Sequence, residues 1–240
     1  NGPLKGQKAL VTSGPTYEPI DPVRFIGNRS SGKQGHAIAK ALAASGAEVT
    51  LVTGPVSVVD PPGVKTIHVE TATQMQEACK NTLPVDICVC AAAVADWTPV
   101  FTSETKIKKQ DTKRSPISNL EMTETPDILE SLARHPSYRP KIVVGFAAET
   151  DDIEKNALKK MKKKDCDILL VNDVSNGQVF GQDENKLVCF AKNPKGDMQK
   201  QIWDIDTKDV LAQRLVKFIT EKLHLGSDKN DKGSYHNAAE

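Results

Sequence analysis

Lys8 to Thr53 reads KALVTSGPTYEPIDPVRFIGNRSSGKQGHAIAKALAASGAEVTLVT, and this stretch decides the fold. It opens on one apolar strand-like run, Lys8 to Thr12, and closes on another, Glu48 to Thr53, with a helical pattern over Lys33 to Ser45 between them. Two strands joined through one helix specify neighbouring parallel strands. The alternation continues outward. Further strands are expected at Lys65 to Val69, Asp86 to Ala92, Ile142 to Ala147 and Ile168 to Val171, and helices at Ala72 to Asn81, Asp127 to Arg134, Ile153 to Lys164 and Lys208 to Leu223. Lys186 to Ala191 and Gln199 to Asp204, separated by Asn193-Pro-Lys-Gly-Asp197, read as a late antiparallel hairpin. The expected fold is therefore α/β, a Rossmann-like three-layer sandwich with a mainly parallel sheet.

Two stretches do not fit this rhythm. Thr98 to Thr125, about 28 residues with a basic middle, is too long for a plain connection and is expected to form a mobile flap. Gly226 to Glu240 contains no Val, Ile, Leu, Met or Phe. It is expected to be a disordered tail behind one domain at 1–225.

The whole chain has 240 residues, enough to bury a core without a disulfide or metal staple. With 32 Lys and Arg against 31 Asp and Glu the net charge is +1, so no global field draws the chain to nucleic acid or to a membrane surface. Any electrostatic function must be local. Apolar stretches such as Val89 to Ala95 fall far short of the roughly 18 residues a spanning helix needs, and Asn1 to Lys8 is no signal peptide, so a cytoplasmic protein is expected. Cys79, Cys88, Cys90, Cys166 and Cys189 are odd in number and lack metal-ligand spacing. Buried free thiols are expected, with Cys88 and Cys90 on one face of a strand.

The loop after the first strand carries the chemistry. Gly27 to Lys33 satisfies GxxxxGK, but Gln34 stands where a P-loop needs Ser or Thr, and Pro15, Pro19 and Pro22 impose a long irregular segment first. A true P-loop is rejected. No GxGxxG follows the strand either, which removes the main support for dinucleotide binding. What survives is a turn in which Asn28, Ser30 and Ser31 can cap the helix near Lys33, a natural anion site flanked by Arg24, Arg29 and Lys33.

Gly14-Pro-Thr-x-Glu-Pro-Ile-Asp-Pro-Val-Arg-Phe-Ile-x-Asn-x-Ser-Ser-Gly-Lys33, Ala91-Ala-Ala-Val-Ala-Asp96, Lys106-Ile-Lys-Lys109 and Gly145-Phe-Ala-Ala-Glu-Thr150 occur in order. Together they resemble the phosphopantothenoylcysteine synthetase family, in most bacteria the carboxy-terminal half of a bifunctional coenzyme A biosynthesis flavoprotein. The resemblance spans about residues 5 to 224 and leaves out the flavin-dependent decarboxylase half, to which the full-length protein would be fused. It implies a ligase of two steps, with CTP, 4′-phosphopantothenate and L-cysteine as substrates, magnesium accompanying the triphosphate, and a homodimer. In the first step the 4′-phosphopantothenate carboxylate attacks the α-phosphate of CTP, giving an acyl cytidylate and pyrophosphate. In the second the cysteine amine displaces CMP.

Site roles follow from that resemblance residue by residue. Asn28 is placed at the acyl cytidylate, with Ala93 beside the substrate and Arg24 suited to hold a carboxylate. Lys106 begins the flap motif and is a catalytic candidate delivered to the nucleotide on closure. Ser30, the backbone of Cys90, Ala91 and Ala92, Asp96, and Phe146 belong to the nucleotide site. Thr125-Pro126-Asp127-Ile128 stands where the family has Asn-Pro-Asp-Ile, so Thr125 departs from the pattern and its side-chain role is in doubt. Lys160 and Lys164 match nucleotide-binding lysines, and helical geometry agrees. At about 100° per residue from Ile153, the inward arc holds Ala157 at about 40°, Met161 at about 80° and Leu158 at about 140°, with Lys160 and Lys164 at its edge. Lys155, Lys159, Lys162 and Lys163 point away. Two rivals remain at this stage, a dinucleotide-dependent reductase and an RNA-binding module using Lys106 to Arg114 and Lys155 to Lys164.

Overall fold

The computed structural model describes residues 2–108, 119–149, 152–173, 183–193 and 196–230. In chain order the elements are β1 (Lys8–Ser13), β2 (Tyr17–Pro19), β3 (Phe25–Gly27), α1 (Lys33–Ala44), β4 (Glu48–Thr53), β5 (Lys65–His68), α2 (Ala72–Thr82), β6 (Ile87–Cys90) and β7 (Trp97–Pro99). There follow β8 (Met122–Glu124), α3 (Ile128–Ala133), β9 (Ile142–Glu149), α4 (Ile153–Lys164), β10 (Ile168–Asp173), β11 (Glu184–Lys192), β12 (Met198–Thr207) and α5 (Lys208–Asn230). Eight strands form one sheet in the order β12-β11-β10-β9-β6-β1-β4-β5. The six from β5 to β10 run parallel, and β11 and β12 return antiparallel at one edge. The α/β expectation is borne out.

Residue alternation explains the layers. On β1, Ala9 and Val11 face one side and Leu10 the other, and Ile87 and Val89 oppose Cys88 on β6 in the same way. The first side packs on α1 and α5 through Ile38, Leu42, Leu215 and Ile219; the second packs on α2, α3 and α4 through Met75, Leu132, Ala157 and Met161. Full burial of each such aliphatic side chain contributes about 1.5–3 kcal/mol, so both faces are needed to hold the sheet. Cys88 and Cys90 do share a face, with their sulfurs 3.8 Å apart. All five cysteines are free thiols.

Three features differ from the sequence expectations. The proline-rich loop is not irregular throughout: β2 and β3 pair with Tyr17 opposite Gly27, and the Tyr17 and Phe25 rings stack at 3.9 Å. The expected flap has a hairpin stem, since β7 and β8 pair Trp97 with Glu124 and Pro99 with Met122. Finally, α5 runs on to Asn230, past Leu223 and past the expected start of the tail at 226, because no proline interrupts its hydrogen-bond ladder. Lys109, Lys113, Arg114, Thr150, Pro194, Lys195 and the rest of the tail, 231–240, lie outside the described residues.

Helix α1 lies close on β1. A Cβ on Gly35 would stand 2.5 Å from Ser13 Cβ and 3.0 Å from its Cα. Ala in place of Gly inside a helix ordinarily stabilises by roughly 0.5–1 kcal/mol, whereas overpacking costs about 1–3 kcal/mol. Gly35→Ala should therefore lower the urea midpoint of unfolding, and a raised midpoint would show that the helix has room to move away.

Candidate active site

The parallel strands carry the order that reverses direction between β1 and β6, and in such sheets the crevice beyond the strands' carboxyl ends is where ligands bind. A cavity of about 800 Å³ opens there. The segment after β6 forms its floor and is sewn to the end of β1. Thr12 Oγ1 accepts from Ala92 N–H at 3.2 Å, Thr16 Oγ1 accepts from Ala95 N–H at 3.0 Å, and Ala93 N–H donates to Gly14 O at 2.8 Å. This fixes Cys90, Ala91, Ala92, Ala93 and Asp96 along the lining.

The serine-rich turn forms another wall with Asn28, Ser30, Ser31 and Gly32. Here the expected cap is corrected. The N-cap of α1 is Gly32, left-handed at φ 75, with no side-chain cap. Glycine alone adopts that conformation readily, so capping passes to the backbone and the serines are left at the turn, with Ser30 Oγ accepting from Gly32 N–H at 3.4 Å. The positive end of the α1 dipole faces the cavity, an arrangement suited to an anion. Beneath it, Ser13 Oγ donates to Gly32 O at 2.8 Å, and His36 Nδ1 lies 3.0 Å from both of those atoms. Since the Gly32 carbonyl can only accept, Nδ1 carries the ring proton, and the buried Nε2 has no hydrogen-bond partner among the described residues. Burial lowers the His36 pKa, against the raising influence of the Gly32 carbonyl and Asp60.

From the opposite side come Phe146 at the end of β9 and, on α4, Lys160 and Lys164. Lys160 pairs with Glu149 at 3.7 Å; Lys164 pairs with Asp127 and, at 3.4 Å, with Glu130. Burial lowers the Lys164 pKa, opposed by the Asp96 charge. The inward arc of α4 is narrower than expected: Ala157 and Met161 are buried, but Leu158 is 39% exposed. Lys163, expected to point away, stands exposed at the cavity's rim in the last helical turn. Thr125, Pro126, Asp127 and Ile128 complete this wall. Asp127 caps α3 through Glu130 N–H at 3.0 Å. Thr125 acquires a side-chain role, donating from Oγ1 to Ala95 O at 2.5 Å.

Arg24 and Lys106 stand outside the lining. Arg24 is engaged by Asp21 and by the Ile107 carbonyl, and Lys106 is exposed beside that contact. Sequence reasoning also missed several lining residues, among them Glu124, Lys208, Asn172 and Asn185. Lys208 sits where Lys33 pairs with Asp183 at 2.6 Å, and burial, then the Lys33 charge, lowers its pKa. Asn172 accepts a hydrogen bond from Asn185 at 2.9 Å across β10 and β11. An amide inside each of two apolar strands was the available signal.

The cysteines are poor nucleophile candidates. Burial pushes the Cys166 and Cys189 thiols up to about 12 and raises Cys79 further. Among the described residues no group of three His, Cys, Asp or Glu side chains could hold a metal ion, and no helix is long and apolar enough to cross a membrane.

The model of a family described as DNA/pantothenate metabolism flavoprotein C-terminal domain matches residues 4–223. The chain belongs to that family. Among family relatives, the coenzyme A biosynthesis bifunctional protein CoaBC of Vibrio cholerae is 41% identical over 222 residues, covering 92% of this chain and 54% of the relative. The CoaBC of Mycobacterium bovis is 44% identical over 230 residues, covering 92% of this chain and 53% of the relative. The chain thus spans about half the length of the curated relatives it matches. A crystal structure of the C-terminal domain of CoaBC superposes with a TM-score of 0.76 at 33% identity, covering 93% of this chain and 99% of that one. The recognition of that C-terminal half from four sequence motifs is borne out.

The serine-rich turn also sets a pH dependence. Because the His36 pKa in the fold lies below its ordinary 6.5, the unfolded chain takes up the proton first as pH falls. Its contribution is full above that value and is lost below it. Between pH 7 and pH 5 the melting temperature of His36→Gln should therefore fall less than that of the wild type; equal slopes would remove His36 from the pH response.

Proposed function

We propose that this domain is a CTP-dependent phosphopantothenate–cysteine ligase acting in coenzyme A biosynthesis in the cytoplasm. The observation that carries the reading is that one cavity is lined by Asn28, Ser30, Asp96, Phe146, Lys160 and Lys164, drawn from segments more than a hundred residues apart. The 4′-phosphopantothenate carboxylate attacks the α-phosphate of CTP, its carbon–oxygen–phosphorus link forms as pyrophosphate leaves, and the cysteine amine then displaces CMP from the acyl carbon. Two anions meet in the first step. Fixed positive charge and amide donors lower that barrier, and no protein nucleophile is required.

Asn28 donates its side-chain amide to the reacting carboxyl, the α1 amino terminus and Ser30 receive phosphate, and Lys160 and Lys164 exchange their present carboxylate partners for the nucleotide. Phe146 packs on the base. Magnesium, when bound, neutralises triphosphate charge. Lacking a three-ligand cluster, the described residues suit an ion held mainly by phosphate oxygens, with the lining carboxylates Asp96 and Glu124 available to it. Lys106 reaches the nucleotide when the flap closes, which also keeps water from a hydrolysable acyl phosphate. In the full-length protein the domain is fused to a flavin-dependent decarboxylase.

A homodimer is part of the reading. Phe25, Trp97 and Phe101 are 50%, 50% and 80% exposed on the adjoining hairpins, with Val23 and Val100 beside them, an apolar patch that a second copy would cover.

Incubation with CTP, magnesium and 4′-phosphopantothenate should release pyrophosphate without cysteine, and adding cysteine should release CMP. Lys106→Gln should melt like the wild type yet turn over about 10²-fold more slowly or worse. Stabilisation by NADPH with no response to CTP would replace this reading with the reductase.

A further inference from the structure

Asp21 lies in the turn between β2 and β3, outside the cavity, and its side chain is wholly buried. Five donors converge on it. Oδ1 accepts from Val23 N–H and Arg24 N–H, both at 2.9 Å. Oδ2 accepts from Arg24 Nε at 3.0 Å, Arg24 Nη2 at 2.6 Å and the Ile107 N–H at 3.1 Å. The same Arg24 Nη2 donates to the Ile107 carbonyl at 2.6 Å. One residue of the flap, Ile107, is thus gripped at both its backbone polar groups by a preformed ion pair.

The grip is part of a longer seam. Thr102 Oγ1 donates to Pro19 O and Ser103 N–H to Ile20 O, each at 3.0 Å. The residue before the gripped Ile107 is Lys106. A turn cap needs only Oδ1; Oδ2, with its contact 86 residues along the chain, serves something else. Burial alone would raise the Asp21 pKa, but the hydrogen bonds from Val23, Arg24 and Ile107 outweigh it and hold the carboxyl well below the usual carboxylate range. The charge that anchors Ile107 is therefore kept at neutral pH.

We propose that Asp21 is a positioning residue that acts through Arg24 and the Ile107 peptide to hold the root of the flap, and so fixes where Lys106 is delivered. The proposal rests on the ligase reading for its consequence in turnover and on geometry alone for the clamp. Arg24 is a strut in this arrangement, and the loop that carries Asn28 and the flap that carries Lys106 are joined at one point.

Asp21→Asn separates the two halves of the carboxylate's work. An asparagine oxygen still caps Val23 and Arg24, whereas its NH2 meets the Arg24 and Ile107 donors with nothing to accept them. In D21N the Ile107 amide should exchange with solvent about tenfold faster or more, with a lowered melting temperature as the buried donors lose their acceptor. The kcat for CTP-dependent pyrophosphate release should fall about 10²-fold, with KM for CTP within a few-fold of the wild type. Should D21N fail to fold, Ile107→Pro, which deletes the flap's donor and leaves the ion pair in place, carries the same expectation for kcat, with the faster exchange read at the Ser103 amide of the same seam. Unchanged exchange at Ile107 overturns the clamp, and faster exchange with unchanged kcat overturns its role in delivery. If the wild type releases no pyrophosphate from CTP, the ligase reading fails, and the exchange measurement decides the clamp on its own.

Discussion

The site depends on a constraint of chirality at the centre of the sheet. β1 is hydrogen-bonded to β4 on one edge and β6 on the other, all parallel. Crossovers between parallel strands are right-handed, so the chain that leaves β1 toward β4 must place α1 on one face, while the chain that works outward from β6 places α3 and α4 on the other. Loops leaving the carboxyl ends of β1 and β6 therefore diverge, and a crevice opens between them that no side chain of the core can fill. The serine-rich turn and the Ala91 to Asp96 segment are the two lips of that crevice. Their chemistry is particular to this family; their position follows from the handedness of L-amino acids.

Into this crevice the fold brings cations that have carboxylate partners already. Lys164, with a side chain only 13% exposed, sits against Asp127 and Glu130, Lys160 against Glu149, and Lys33 against Asp183. A half-buried ammonium without a partner is costly. The acidic residues thus solve a folding problem in the ligand-free state, which is consistent with a chain whose net charge is only +1. A surface of unpaired lysines would attract any polyanion; a pocket of paired ones demands an anion able to compete.

Much of this was legible in the sequence because it is local. The ends of β4 and of α4 read directly from hydrophobic periodicity, and the other main elements except the end of α5 within a few residues, since each has a period and a stop signal. Lining positions such as Asp96 and Phe146 were legible too, from motif resemblance and from their place at strand ends. What stayed hidden is non-local. β2 and β3 are three residues each, too short for a period, and are held by the Tyr17–Phe25 stack and the Asp21 turn. Lys208 joins Lys33 only because α5 packs beside α1, a pairing that no window of sequence contains. Arg24 read as a residue suited to hold a substrate carboxylate, such as that of cysteine, and in this structure it is paired with Asp21.

Thr125 and Asp21 point to the same architectural rule from opposite ends of the flap. At its far root, Thr125 N–H donates to Asp96 O at 3.0 Å while Thr125 Oγ1 donates to Ala95 O, so that root is tied to the segment leaving β6. At its near root, Ile107 and Ser103 are tied to the loop that leaves β1. A long connection tied at one end would sample a wide volume and cost more conformational entropy to order. Here the described ends of the segment are tied to the two lips of one crevice, and so their placement follows the spacing of β1 and β6. The asparagine usual at position 125 in the family also offers a donor to a neighbouring carbonyl. A threonine that keeps that donor in a shorter, β-branched side chain can serve as a tether where the amide itself is absent.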